Sequence, residues 1–233
     1  MRGVAGGRAM IEFEEAHGDL RARVEVIDWV LGERDAPPED AGVLLVDGAL
    51  HPRLQAAREI VRAPLAELWM ERGDRRGRGW VSPRGSVLAH PLPDGRMRLV
   101  TVRTPLVIDA LVRLNDVGPR PRFEPAIRIA VAPAALAEAL AAREAVRAGI
   151  ADPQQAAAFE RVVAGLREHW RVSATWEPAD GALGGRDIEV LDTEDGYWLV
   201  IPDDPTVELW PATPTAVFRG LCGLLPTFEE VRS

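Results

Sequence analysis

The four histidines are the first side chains to consider for acid–base chemistry or metal binding. No two of them have the i,i+4 spacing of a helical zinc site, and none lies beside a candidate nucleophile. His51 precedes a predicted helix, His90 lies on a predicted strand, and His169 ends a predicted helix. We therefore expect structural roles for the histidines, and we assign no catalytic residue, no metal ligand and no cofactor.

The remaining reactive groups favour local structure over catalysis. Cys222, the only cysteine, falls in the apolar stripe of a predicted helix, which predicts a buried position. The acidic clusters Asp192–Asp195 and Asp203–Asp204 fall in predicted hairpin turns, where aspartate bonds to its own backbone. The glycine-rich segment Gly181–Gly185 lies between strands and does not lead into a helix, as a phosphate-binding loop would. These features predict a protein that is not an enzyme.

One segment has a charge pattern unlike the rest of the chain. Between Arg72 and Arg78, four arginines surround one acid, Asp74, in an otherwise acidic protein. One interpretation is a solvated turn with scattered charge. The other is a contact surface for an acidic partner, because arginine forms bidentate and weakly hydrated contacts.

Tryptophan is the second unusual feature, with seven tryptophans against one tyrosine. Six of them lie on predicted strands, where they either fill a helix–sheet core or, if exposed, anchor an interface. Together with the arginines they supply the predicted partner-binding residues: Arg72, Arg75, Arg76, Arg78, Trp80 and Trp176.

The composition excludes several classes of protein. The net charge of −8 argues against a general nucleic-acid binder, which needs cations to neutralise phosphates. No apolar run approaches the ~18 residues of a membrane helix, and the first residues lack the apolar core of a secretory signal. A single cysteine fits a reducing compartment, so we expect a soluble cytoplasmic protein. All 28 basic residues are arginine, which is typical of a GC-rich genome and suggests an actinobacterial source.

Prolines mark the helices that would position these residues. Proline is tolerated at the first helical position, and a short polar residue before it caps the free amides. Asp152-Pro153, Thr104-Pro105 and Thr213-Pro214 have this form. The pattern predicts helices near 52–62, 105–115, 133–148, 153–169 and 214–225.

Short strands separated by turn residues lie between the helices. In the first half they are predicted at 65–72, 78–82, 86–91 and 97–102, and in the second half at 170–177, 187–192, 197–201 and 206–211. Because the connections are too short for parallel crossovers, the strands must pair antiparallel.

The two halves have the same order of elements. Thr104-Pro105 of the first half corresponds to Thr213-Pro214 of the second, and Pro93-Asp94 corresponds to Pro202-Asp203 at the same offset. Gly85 corresponds to Gly196 at almost that offset. The fold class is therefore predicted as α+β, with two divergent helix–four-stranded antiparallel meander–helix repeats related by pseudo-two-fold symmetry.

This pattern also predicts the limits of the domain. A disordered lead-in covers residues 1–9, a single domain covers 10–225 with repeat halves at 43–118 and 150–225, and a tail covers 226–233. Whether the segment before Val43 joins the sheet as strand or helix stays open, as does the oligomeric state.

Three segments carry a resemblance to a known family. They are IEVLDTEDGYWLV at Ile188–Val200, VELWPA at Val207–Ala212, and LVDGALHPRL at Leu45–Leu54. They are similar, in order, to the strand–turn–strand, the final strand and the entry to the first repeat helix of the EspG family. These are cytosolic chaperones of ESX (type VII) secretion in actinobacteria. The resemblance implies a non-enzymatic protein that binds a helical client, PE/PPE- or WXG100-like, through its sheet, a loop of the first meander and C-terminal helices.

A chaperone of this kind needs an apolar face with a polar rim. The resemblance leads us to expect exposed apolar side chains around Trp69, Trp80, Leu88, Trp176 and Leu191, with Arg75 and Arg76 at the rim. Two alternatives stay open: an interaction or immunity-type protein with a non-ESX partner, and an enzyme with a small-molecule site between the halves.

Overall fold

The computed structural model describes residues 11–124, 126–143, 149–178 and 181–232, which form an α+β fold. The strands are β1 (Glu12–Glu14), β2 (Asp19–Ala22), β3 (Leu45–Val46), β4 (Ala49–Leu50), β5 (Ala66–Arg72), β6 (Arg75–Ser82), β7 (Gly85–Pro91), β8 (Met97–Val102), β9 (Ile129–Val131), β10 (Leu166–Trp176), β11 (Gly184–Thr193), β12 (Gly196–Asp203) and β13 (Thr206–Ala212). The α-helices are α1 (Val24–Leu31), α2 (Pro52–Arg62), α3 (Val107–Leu114), α4 (Pro133–Ala142), α5 (Pro153–Ala164), α6 (Pro214–Cys222) and α7 (Phe228–Arg232).

The chain divides into two compact units. The first contains the described residues up to Trp69 together with Arg75–Val107. The second contains Met70–Asp74 and the described residues from Ile108 onwards. The predicted lead-in, residues 1–9, lies outside the described residues.

The first unit has the strand order β1-β2-β8-β7-β6-β5. Along this order, neighbouring strands pair antiparallel from β1 through β2, β8 and β7 to β6. Leu20 lies opposite Leu99, and Trp80 lies opposite Val87. The N-terminal residues that the sequence left open thus supply two strands and then helix α1, which ends at Gly32 with φ +84°. Glycine suits this left-handed position because it has no Cβ to clash.

The core of the first unit lies between this sheet and helices α1 and α2. Leu20, Val26, Leu54, Trp80 and Leu99 are all buried there in one cluster. Burying side chains of this size contributes roughly 1.5–3 kcal/mol each.

The second unit has the strand order β10-β11-β12-β13-β9, with the last residues of β5 beside β10. Each strand from β10 to β9 in this order pairs antiparallel with its neighbour. Its core contains Phe159, Leu191, Trp198 and Leu209, and Phe123 packs edge-on against Trp198 with ring centroids 4.5 Å apart.

Three helices begin at the predicted prolines with a capping side chain. His51 Nδ1 accepts from Arg53 N–H before α2, Asp152 from Gln154 N–H before α5, and Thr213 from Ala216 N–H before α6. Thr104 differs, because its hydroxyl donates to the Ser82 carbonyl at 2.6 Å and a 3₁₀ turn, Thr104–Leu106, precedes α3.

The predicted helix 153–169 is too long. Helix α5 ends at Ala164, and the carbonyl of Gly165 accepts a hydrogen bond from Glu194 N–H at 2.8 Å. From Leu166 onwards the chain pairs with β11, so His169 lies on a strand and not at a helix end. The predicted helix 133–148 corresponds to α4, which ends at Ala142, and residues 144–148 lie outside the described residues.

Candidate protein-binding surface

The arginine-rich segment is a tight hairpin and not the loop predicted over Gly73–Gly77. Strand β5 extends to Arg72 and β6 begins at Arg75, which leaves only Gly73-Asp74 as the turn. Gly73 has φ +58°, a conformation that glycine adopts at little cost. Arg75, Arg76 and Arg78 therefore lie on a strand with alternating orientation.

Arg78 is stacked between two tryptophans of the first unit. Its guanidinium lies 5.0 Å from the ring centroid of Trp69 and 4.8 Å from that of Trp80. The same guanidinium pairs with Glu33 Oε1 at 2.6 Å. Trp80 is buried in the core, whereas Trp69 is 46% exposed. Of the predicted partner-binding residues, these contacts bring Arg78 and Trp80 together.

The other predicted arginines differ in their surroundings. In the second unit, Arg72 donates to the Leu114 carbonyl at 2.7 Å and pairs with Glu168 at 3.1 Å. In the first unit, Arg75 is half-buried and Arg76 is exposed, and neither is without a partner.

Trp176 lies at the end of β10 in the second unit and is 7% exposed. The ring packs on Gly184, where an added Cβ would lie only 2.5 Å from it. The Arg186 guanidinium lies 5.2 Å from the ring centroid and donates to the carbonyls of Gly223 and Leu225. Trp176 thus supports Arg186 and offers little ring surface to a partner.

The prediction of an exposed apolar face is wrong for four of the five residues that it named. Trp80, Leu88, Trp176 and Leu191 are buried, and only Trp69 is exposed. Strand patterning could not identify this difference, because residues Gly79–Ser82 of β6 are all buried and show no alternation. For Cys222 the error is the reverse, because it was predicted to be buried and is exposed.

Two surface cavities contain titratable groups. The larger, about 430 Å³, is lined by Glu12, Phe13, Glu14, Asp19 and Arg21. The smaller, about 120 Å³, is lined by Glu71, Gly73, His169, Trp170, Arg171 and Glu189.

The acids of these cavities already have partners within the protein. Asp19 forms a bidentate pair with Arg98, and Glu12 pairs with Arg96 at 2.8 Å. In the smaller cavity, His169 Nε2 lies 2.9 Å from Glu189 Oε1. Within the described part of the chain, no three His, Cys, Asp or Glu side chains are placed to hold a metal ion.

His90 is a titratable side chain in the first unit. Its Nε2 is buried and has no hydrogen-bond partner. Burial lowers the pKa of His90 below its ordinary value, since an imidazolium is poorly solvated there. Among its charged neighbours, Arg98 lowers the pKa of His90 further and Asp19 raises it.

Three residues of the Ile188–Val200 segment have a structural role in the second unit. Arg120 donates two hydrogen bonds to the buried carboxylate of Asp192, at 2.9 and 2.8 Å. The Tyr197 hydroxyl accepts from Gly118 N–H at 3.1 Å. Gly196 has φ +139°, and an added Cβ would lie 2.8 Å from the Pro121 carbonyl oxygen. Asp192, Gly196 and Tyr197 thus hold the segment from Asp116 to Phe123 against β11 and β12.

We call this arrangement, in which Asp192, Gly196 and Tyr197 hold the segment from Asp116 to Phe123, the clamp. The same contacts explain the pKa shifts of its side chains. The hydrogen bonds that Arg120 donates to Asp192 raise the pKa of Arg120, and burial raises the pKa of Tyr197. Both side chains therefore keep their usual protonation state at neutral pH, with Arg120 charged and Tyr197 neutral.

No helix among the described residues is long and apolar enough to span a membrane. Neither a scan against protein-family models nor a search of curated proteins finds a match to the sequence.

The fold, in contrast, is similar to that of solved structures. One similar structure is that of the type VII secretion system chaperone EspG5 of Mycobacterium tuberculosis, solved in complex with the PE25-PPE41 dimer. The TM-score is 0.61, and the match covers 91% of this chain and 99% of that chain. At 16% identity, the likeness establishes the fold and leaves the activity to be argued separately.

Proposed function

We propose that this protein is a non-enzymatic cytoplasmic chaperone or adaptor that binds a helical client, PE/PPE- or WXG100-like, for type VII (ESX) secretion. The observation that carries the proposal is the EspG5-like fold, which extends over 91% of the chain. EspG5 was solved with a PE25-PPE41 dimer, and a client of the same kind is inferred here from that fold.

The β5–β6 hairpin is the proposed contact surface. Its arginines concentrate positive charge in a chain of net charge −8, so an acidic client segment would be attracted to this hairpin. Arg75 and Arg76 are placed at this contact. Within the first unit, Arg78 and Trp80 are proposed to support this surface, because Arg78 pairs with Glu33 and Trp80 is buried. Arg72 and Trp176 stay predictions as partner-binding residues of the second unit.

We also propose that the chain arose by duplication of one helix–meander–helix unit. Two turns of the same construction support this origin. The Ser82 hydroxyl donates to the Gly85 carbonyl at 3.1 Å, and the Thr193 hydroxyl donates to the Gly196 carbonyl at 2.8 Å. Both glycines have positive φ, +153° and +139°. The pseudo-two-fold relation of the halves stays a prediction.

Co-purification with candidate clients tests the proposal. The wild-type chain is co-expressed with each PE/PPE-like pair and each WXG100-like protein of the same genome, and affinity is measured by calorimetry. We expect one of them to bind as a stable complex. If none of them binds, or only a partner unrelated to type VII secretion does, the proposed function is wrong.

A charge reversal tests the contact surface separately. Arg75→Glu/Arg76→Glu should weaken client binding about tenfold or more, since like charges across an interface repel. Arg113→Glu/Arg122→Glu changes the net charge equally at two exposed residues outside the hairpin and should leave affinity unchanged. Equal affinities of the two variants would remove Arg75 and Arg76 from the interface.

A further inference from the structure

Trp69 is the exposed exception among the tryptophans. Five of the other six are buried and Trp210 is half-buried, whereas Trp69 exposes 46% of its surface. On β5 it points to the opposite face from Leu68 and Met70, which are buried. An exposed tryptophan on a strand is the type of side chain that anchors protein interfaces.

The exposed ring is held in place before any partner arrives. Arg78 lies 5.0 Å from its centroid, is itself 4.8 Å from the buried Trp80 ring, and is paired with Glu33 at 2.6 Å. Each contact restricts the next, so Trp69 has little conformational entropy to lose on binding. Arg78 covers one face of the Trp69 ring, and its charge is paired with Glu33.

The surroundings of the stack are acidic. Glu67 lies two positions before Trp69 on β5, on the same face. Asp28 lies in the last turn of α1, where the helix dipole is negative and where Arg58 of α2 donates to the carbonyls of Trp29 and Val30. Burial first, and then Glu33 and Glu25, raise the pKa of Asp28, against the opposing effect of Arg78 and Arg34. The pairing of Arg78 with Glu33 leaves Glu25, Asp28 and Glu67 as further acids of this region, with Arg34 and Arg58 as its cations.

We propose that Trp69 is the docking point for a cationic side chain of the partner. The guanidinium or ammonium group of an arginine or lysine on a client helix stacks on the open face of the Trp69 ring, with Glu67 and Asp28 as its counter-charges. An aromatic face flanked by carboxylates fits a cation better than an apolar or acidic group. This inference rests on the proposed function for the identity of the partner as a helical client, and it adds a contact of opposite charge to that of Arg75 and Arg76.

Matched helical peptides test the proposal without the client. The probe is an alanine-based peptide, long enough to be helical in water, that carries two arginines at positions i and i+4 on one face. The controls carry citrulline, the neutral analogue of arginine, or norleucine at the same positions. Binding is followed by the indole N–H signals of the seven tryptophans in ¹⁵N-labelled protein, with Trp69 assigned from the Trp69→Phe spectrum.

We expect the arginine peptide to shift the Trp69 indole signal selectively and to bind about fivefold or more tightly than the citrulline peptide. Glu67→Gln/Asp28→Asn should remove that preference while leaving the other indole signals in place, which shows that the variant is folded. Trp69→Leu should abolish binding of the arginine peptide.

Three outcomes would overturn the proposal. They are no shift at millimolar peptide, equal affinity for arginine and citrulline, or tighter binding of norleucine, which would identify an apolar occupant. None of these outcomes depends on the type VII client, whose capture by wild-type protein is measured separately. A client that binds wild type and Trp69→Leu equally would refute this docking point and leave the proposed function standing.

Discussion

Replacing Asp192 by asparagine should destabilise the protein more than replacing any acid of the neighbouring turns. Asp192 was predicted in a turn but lies on β11. Asp192 has a side chain only 6% exposed, and it accepts both hydrogen bonds from an Arg120 side chain that is 13% exposed. Asparagine keeps the shape but loses the negative charge. Arg120 then remains a mostly buried cation beside a neutral amide.

The magnitude follows from what Arg120 retains. Removing one partner of a buried ion pair costs about 3–5 kcal/mol. Arg120 keeps hydrogen bonds to the carbonyls of Pro119 and Asp116, at 3.1 and 3.4 Å, and to the Asp116 carboxylate at 3.3 Å. Because these partners lie on its exposed side, we expect a smaller loss of about 2–3 kcal/mol in the free energy of unfolding. For a chain of this size that corresponds to a Tm about 4–12 °C lower.

Urea and thermal unfolding, followed by circular dichroism, would measure this loss. Asp116→Asn is the matched control, since its side chain is 77% exposed and its pair with Arg120 should contribute less than about 0.5 kcal/mol. The clamp would be refuted if Asp192→Asn unfolds within about 0.5 kcal/mol of wild type, or if both variants lose the same stability.

Two further predictions concern the same fold. Gly196→Ala should cost about 2 kcal/mol or more, because of φ +139° and the 2.8 Å approach to the Pro121 carbonyl, whereas Gly185→Ala, with ordinary contacts, should cost under about 1 kcal/mol. Urea midpoints of both variants check this, and equal midpoints would contradict it. The pKa of His90 is lowered from 6.5 in the folded protein, so the unfolded chain binds a proton at His90 more readily. The folded protein is therefore not destabilised by His90 above pH 6.5, and its free energy of unfolding declines as the pH falls below 6.5. Between pH 7.5 and 5.5 the urea midpoint should fall less for His90→Gln than for wild type; parallel curves would count against this assignment.

Local chemistry made the helices and hairpins predictable. The helix starts at Pro52, Pro153 and Pro214 depend on a residue and its immediate neighbours, so spacing along the chain was enough to find them. Turn residues located the hairpin connections in the same way. Even the likeness to a secretion chaperone could be read from three short segments, and the fold agrees with it.

Long-range pairing determined what local signals missed. Residues after Gly165 have a helical pattern, yet they form β10 because β11 offers a complete ladder of backbone partners. The arginine segment was predicted to be a loop from Gly73 to Gly77, and the strands instead continue to a tight turn at Gly73-Asp74. At β10, pairing with β11 outweighed the local helical pattern, and at the arginine segment the two strands of one hairpin continue closer to the turn than predicted.

For the candidate site, the sequence by itself determined which side chains were available: arginines and tryptophans close together on two neighbouring strands. Only the tertiary structure decided that Trp80 and Trp176 are buried while Trp69 is exposed, and that Arg78 joins Trp69 to Trp80. The reason is physical. Strand alternation defines two faces, but burial depends on which helices and strands from elsewhere in the chain cover each face.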